Sequence, residues 1–485
     1  MAIDIAAKLQ DFDRLPATAE SKSALLAAVP LPKLLELLND ANHVELVSKC
    51  LNKLFSESSQ EDLNVLKQQG SELFPLGLQH PSDVVRKSTI KLVEKLMGNE
   101  GDLLWLQERD IVFLLVKMLS DESIQMSSAA SSALLRAVGQ PSGVRVVFNE
   151  RHVAHMSKII CDREQAVVAF RVLEFICTAW RRREDETEVF KSTGAKDQLV
   201  AIIHSDDILL QLNAVEVIAL LPSHEIGKEL LVHLLQVAES TLGSGAVPAR
   251  LLEACARFLA GEVESSAELE GRFCETVSQR ARGESSSVQE QVDMLNVLSV
   301  LSSSPRGLKI LVRSKTLPSV CRGVSSNLKS QQSDLKLATL SLCVEAIRSA
   351  KFAEEEGEAA STIFAEGLGD VMEPLIKLAK CPIQEEKVGA ICMFKSMAHH
   401  AWGVKKLFSH GDFLAFLLDR KAESSKRALD EKFEVAKLVL SHPQTSEILG
   451  AGQVEMISNF VANGAYYTQQ GAGGNLMPNV GTMAL

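Results

Sequence analysis

Apolar residues recur along this chain at helical spacing, and the runs that carry them begin alike. An acid or polar residue comes first, an aliphatic residue follows, and a small residue then sits inside the run. The pattern appears as HPSDVVRKSTIKLVEKL from His80, DESIQMSSAASSALLRAV from Asp121, DREQAVVAFRVLEFI from Asp162 and SDDILLQLNAVEVIALL from Ser205. It returns as VPARLLEACARFLA from Val247, SDLKLATLSLCVEAI from Ser333 and QEEKVGAICMFKSMA from Gln384. Ser88, Ala130, Ala169, Ala214, Ala254, Ala338 and Ala390 are the small residues in register. Most neighbours are about 40–45 residues apart. SVQEQVDMLNVLSVLSS from Ser287 fits the unit missing between Ala254 and Ala338, with a larger residue at the small position. Helices approach closely where a small side chain faces the neighbour, so these runs are expected to pack on one another.

A second pattern interleaves with the first. Gly143, Gly227, Gly307 and Gly403 each open a segment whose apolar residues come three to five positions later, followed by another Leu-rich run. Pro81, Pro222, Pro248, Pro305, Pro382 and Pro443 fall between expected helices or in first turns, where a missing N–H costs little. A period of about 40–47 residues with two or three helices per unit is the signature of HEAT and armadillo repeats. The expected fold is therefore all-α, a right-handed α-solenoid of about ten helical repeats, stacked so that neighbours bury one core. The repeats are expected to form one continuous array over residues 1–461. An acidic stretch near 351–374, with seven acids, reads as an insertion forming a solvated helix and loop. From Ala462 the chain gains Gly and Asn and loses periodicity, and beyond about residue 468 it is expected to be mobile.

Composition supports stacked helices. Among 485 residues there are 18 Phe but only 3 Trp and 2 Tyr, so the core rests on aliphatic side chains. Lys and Arg number 51 against 62 Asp and Glu, a net charge of −11 that argues against a phosphate-neutralising face and against nucleic acid as partner. No stretch approaches a membrane span. Acids occupy the N-terminal MAIDIAAKLQDFDR, where a signal peptide needs a basic start. The reading is a soluble protein, cytoplasmic and also nuclear, monomeric when free. Nine cysteines stand singly, which suggests reduced thiols serving as small hydrophobes.

The motifs of catalysis and cofactor binding are missing: no phosphate-binding loop, G-x-S-x-G, H-E-x-x-H or EF-hand loop occurs. No enzyme, metal or cofactor is expected. His152 and His155 have H-x-x-H spacing without a third ligand and read as solvated histidines at a helix start. Cys381 is the most plausible exposed thiol, with no base to activate it. Arg181, Arg182 and Arg183 precede four acids and read as a self-neutralised, solvated turn, with docking of an acidic partner as the sharper alternative. Lys405, Lys406, Arg420, Lys421, Lys426, Arg427, Lys432 and Lys437 are interleaved with acids, which describes a solvent-facing helix pair.

A helical array without a catalytic motif points to binding along the helices that line its groove. Candidate contacts on the small-residue helices are Lys87, Lys91, Arg171, Asn213, Gln291, Lys336 and Lys395. The C-terminal third narrows the choice. The run from Ala390 places Trp402 before the Gly403 segment and closes the Phe408–Leu418 segment with Asp419 and Arg420. Lys426 precedes the next helix, Glu447–Ile448–Leu449–Gly450 makes a turn, and Tyr466 and Tyr467 stand as a pair. With these features the chain resembles the 26S proteasome non-ATPase regulatory subunit 5 family. The resemblance implies a HEAT/armadillo-like chaperone for assembly of the proteasome regulatory particle base. Such a chaperone binds the C-terminal domain of one AAA-type ATPase subunit and base intermediates, and sterically blocks premature docking on the core particle. Rival readings are an adaptor of transport-receptor or catenin type, which would show Trp/Asn ladders that this chain lacks, and a scaffold of phosphatase type.

Overall fold

Every periodic run read from the sequence folds as an α-helix, and among the described residues there are thirty such helices and no strand. The computed structural model describes residues 2–55, 60–162, 164–221, 225–240, 246–261, 265–282, 287–352, 354–420 and 425–467. The helices group into two compact units, Met1–Pro222 and Ser223–Leu485.

The first unit opens with α1 (Ala2–Arg14), α2 (Ala19–Ala28), α3 (Leu31–Leu37), α4 (Val44–Leu54), α5 (Gln60–Leu78) and α6 (Asp83–Leu96). Three triplets follow. The first is α7 (Glu100–Glu108), α8 (Ile111–Met118) and α9 (Ile124–Val138); the second is α10 (Gly143–Val147), α11 (Glu150–Ile160) and α12 (Ala166–Arg182). After a 3-10 turn at Glu184–Glu186 the third is α13 (Thr187–Lys191), α14 (Ala195–Ile203) and α15 (Ile208–Ile218).

The second unit begins with two pairs, α16 (Glu225–Ser240) with α17 (Ala246–Ala260) and α18 (Ala267–Arg282) with α19 (Val288–Ser302). Triplets then return as α20 (Pro305–Arg313), α21 (Thr316–Leu328) and α22 (Ser333–Ala350), then α23 (Glu354–Gly367), α24 (Met372–Ala379) and α25 (Gln384–Met397). A further triplet is α26 (Ala401–Ser409), α27 (Gly411–Leu418) and α28 (Lys426–Ser441), and α29 (Thr445–Ile448) and α30 (Ala451–Asn463) close the unit.

The helix that ends each repeat packs on the next one of its kind. In the first unit the ladder is α6, α9, α12 and α15; in the second it is α17, α19, α22, α25, α28 and α30. All seven small residues in register are buried in these ladders. The unit with a larger residue compensates: Val292 on α19 packs into one cluster with Leu335 and Ala338 on α22, so the small side chain comes from the neighbour. This is the α-solenoid arrangement expected from the period, found in each unit.

Glycine at the first helix of a triplet has a steric reason. A Cβ on Gly143, Gly307 or Gly403 would lie 1.8, 1.7 or 2.0 Å from the carbonyl oxygen of Ala137, Leu301 or Met397. Each of those oxygens belongs to the preceding ladder helix, so the glycines let a new repeat start directly against the end of the last. The junction to the second helix uses left-handed backbone: Asp110, Gly194 and Lys315 have φ of 58°, 72° and 59° immediately before α8, α14 and α21.

The acidic stretch near 351–374 departs from its expected form. It supplies α23, which packs on α20, α21 and α22 and buries Ala360 and Phe364, with Leu368 buried just past its end. Those three apolar residues, spaced four apart, make it the first helix of a triplet and not an appendage. The tail expected to be mobile beyond about residue 468 lies outside the described residues.

Candidate partner-binding face

The seven residues singled out from the sequence occupy successive ladder helices and meet different fates. Lys87 and Lys91 are exposed, one turn apart on α6, and Lys87 Nζ lies 3.3 Å from Gln125 Oε1 of α9. Arg171 on α12 is half-buried and donates to the carbonyl oxygen of Asp121 at 3.0 Å. The Asp121 carboxylate holds Arg86 of α6 at 3.0 Å, so one aspartate ties α6 to α12. Asn213 is exposed on α15 and faces a cleft shared with Arg171, Phe170, Glu174 and Leu210.

In the second unit the candidates are more deeply engaged. Gln291 is half-buried on α19. Lys336 of α22 donates to both oxygens of Glu386 on α25 at 3.0 Å, and Ser333 Oγ donates to the same carboxylate at 2.7 Å. Glu386 is 2% exposed, so this is a buried ion pair between ladder helices. Lys395 of α25 pairs with Glu431 of α28 at 2.9 Å. Lys336 and Lys395 therefore hold neighbouring repeats together, while Lys87, Lys91 and Asn213 remain exposed for contact. Between α17 and α19 an open cleft of about 640 Å³ carries Arg250, Glu253, Arg280, Glu290 and Asp293. Four of these charges are paired with one another, Arg250–Glu253 at 2.9 Å and Arg280–Glu290 at 3.4 Å, and Asp293 accepts from Gln289 at 2.9 Å.

Several side chains read as solvated are built into the fold. His152 is buried, stacked on Phe113 at 5.3 Å, with Nδ1 3.1 Å from the Val147 carbonyl oxygen. His155 meets the edge of the same ring, and burial lowers the pKa of both histidines, favouring neutral imidazoles. The expectation of solvated histidines fails because Phe113 supplies an apolar wall. In the arginine turn Arg181 and Arg182 are exposed, as expected of a solvated turn, and only Arg183 is half-buried. Arg182 donates to Leu135 O at 3.1 Å, and Arg183 donates to Val138 O at 3.3 Å and Gln140 O at 2.9 Å, closing the carbonyl end of α9. Arg183 also pairs with Asp185 at 2.9 Å, the self-neutralisation expected of the turn.

The cysteines and the C-terminal basic residues follow the same theme. Cys381 is half-buried with its Sγ 3.9 Å from Glu386, and Cys161 is the exposed thiol among the nine free cysteines. Burial pushes the Cys321 thiol up to about 12, which keeps it protonated. Lys432 is buried with Nζ 4.0 Å from the Phe416 ring centroid, and Arg420 stacks on Phe460 at 3.9 Å while donating to Phe460 O and Gly464 O. Lys406 is half-buried and donates to Ala365 O at 3.5 Å, so the segment expected to face solvent uses three of its cations internally; Lys421 lies outside the described residues. Tyr466 donates its hydroxyl to Asp430 and sits below Lys426, so the tyrosine pair is anchored on the last repeat while both rings stay about half exposed.

Among the described residues, no group of three or more His, Cys, Asp or Glu could hold a metal ion, and no helix is long and apolar enough to cross a membrane.

Comparison with known proteins agrees with this architecture. The family model described as "Proteasome non-ATPase 26S subunit" matches residues 4–480. Proteins named 26S proteasome non-ATPase regulatory subunit 5 from Bos taurus, Homo sapiens and Mus musculus are each 21% identical, covering 97% of this chain and 98% of their own length. A crystal structure of importin beta aligns over 96% of this chain and 63% of its own, at 12% identity and a TM-score of 0.56, a likeness of α-solenoid fold.

Proposed function

The chain belongs to the 26S proteasome non-ATPase regulatory subunit 5 family, and from that premise we propose that it is a non-enzymatic assembly chaperone of the proteasome regulatory particle base. It binds the C-terminal domain of one AAA-type ATPase subunit, in the cytoplasm and the nucleus. Occupying that domain, it prevents the ring from docking early on the core particle. The observation that carries this reading is the family match along residues 4–480, which spans both ladders and not one local motif. The reading is supported by the stacked ladder helices of each unit, which present exposed side chains such as Lys87, Lys91 and Asn213 to a partner.

The test is to mix the purified full-length chain with the C-terminal domain of each proteasomal ATPase in turn, and to measure mass by light scattering during chromatography. A one-to-one complex with a single domain is the expected result. Failure to bind any of them overturns the chaperone mechanism and leaves a proteasome-family solenoid with another client.

A further inference from the structure

The first unit exposes an aliphatic side chain at the first or second residue of each ladder helix. Val84, Ile124, Val167 and Ile208 occupy the first turns of α6, α9, α12 and α15, and are 41%, 68%, 67% and 60% exposed. Leu209 beside Ile208 is 73% exposed. Scattered surface aliphatics need no explanation, but one per repeat on four helices packed in sequence makes a row. Helix propensity does not ask for it, because β-branched residues are mediocre helix formers. The row is edged with acid. Asp83, Glu122, Asp162, Glu164, Asp206 and Asp207 all lie within a few residues of it and are exposed.

Part of that acid has local work. Asp207 caps α15 by accepting from the N–H of Leu209 and Leu210, and Asp83 pairs with Arg86. Capping places negative charge beside the row without covering the aliphatic groups. Packed helices stand about 8–10 Å apart, so the rungs recur at roughly that spacing. Along an α-helix, positions i, i+7 and i+14 recur every ~10.5 Å.

We infer that this acid-edged aliphatic row docks an amphipathic helix of another protein, with aliphatic anchors at heptad spacing and Lys or Arg beside them. The row would take about three heptads. The inference rests on the fold and surface of the first unit and is independent of the chaperone reading.

The probe is a fluorescent three-heptad peptide with Leu at every seventh position and flanking Lys, titrated into the full-length chain by anisotropy. A scrambled peptide of equal composition serves as control. The designed helix is expected to bind at least about tenfold more tightly than the scrambled one, and Ile124→Asn with Val167→Asn to weaken it about tenfold at an unchanged thermal midpoint. A second variant, Glu122→Gln with Asp206→Asn, is expected to flatten the salt dependence of binding. No binding, equal binding of the two peptides, or indifference to the variants overturns the inference. So does a self-association of the chain that Ile124→Asn abolishes, which would give the row to a second copy. Loss of ATPase-domain binding in the earlier experiment would leave these results standing.

Discussion

Glu386 shows what one residue does in this protein. A carboxylate at 2% exposure is stable there because Lys336 and Ser333 reach it from the neighbouring ladder helix. Removing the cation strands the charge, which typically costs about 3–5 kcal/mol, whereas replacing both partners by apolar groups is often near neutral. Lys336→Ala is therefore expected to lower stability by about 3 kcal/mol, and Lys336→Met with Glu386→Leu by less than about 1 kcal/mol. Urea unfolding with m held constant checks this. Equal losses in the two variants would show that the pair is not coupled. Neither Glu386 nor His152 was legible as buried in the sequence. Each sits in a run where a polar residue normally faces water, and its apolar or charged partner comes from elsewhere in the fold. Lys336 was legible as a ladder residue but not as one already engaged, for the same reason.

At the scale of the element, the decisive contact is a glycine against a carbonyl. Gly307, in the first turn of α20, lies directly under Leu301 O, and the same juxtaposition recurs at Gly143 and Gly403. A methyl group there must push two repeats apart, and overpacking of this kind costs about 1–3 kcal/mol. Gly307→Ala is expected to lower the urea midpoint accordingly. Gly271→Ala, on an exposed face of α18 with nothing within 4 Å, is expected to raise stability by up to about 1 kcal/mol through helix propensity alone. If both changes stabilise, the glycine contact is not what joins the repeats. Ladder helices and their glycine-led neighbours were visible in the sequence, because close packing demands small side chains at fixed register. The acidic α23 was less visible: Ala360 and Phe364, with Leu368 just beyond its end, are a thin stripe in a stretch that carries seven acids. The exposed row of Val84, Ile124, Val167 and Ile208 was hidden for the opposite reason. Periodicity says which residues are apolar, not which of them the next repeat covers.

For the whole molecule, the question is which surface charge is available to a partner. The ladders spend some of their cations on cohesion: Lys336 on Glu386 and Lys395 on Glu431. Lys87 and Lys91 are exposed on α6, and Lys87 donates to Gln125 at 3.3 Å. The two classes should separate when charge is reversed. Lys87→Glu with Lys91→Glu removes two exposed cations, each contributing at most about 1 kcal/mol to a complex, so affinity for the ATPase domain is expected to fall about tenfold while the unfolding midpoint holds. Lys395→Glu places two carboxylates where α25 meets α28 and is expected to lower the midpoint before it affects binding. Calorimetric titration beside thermal unfolding of the same samples reads both quantities. If the Lys87/Lys91 variant binds normally, these two cations are not part of the docking face, and the search moves to the cleft between α17 and α19 in the second unit. If it binds weakly at an unchanged midpoint, partner recognition and repeat cohesion use different cations of one helical scaffold.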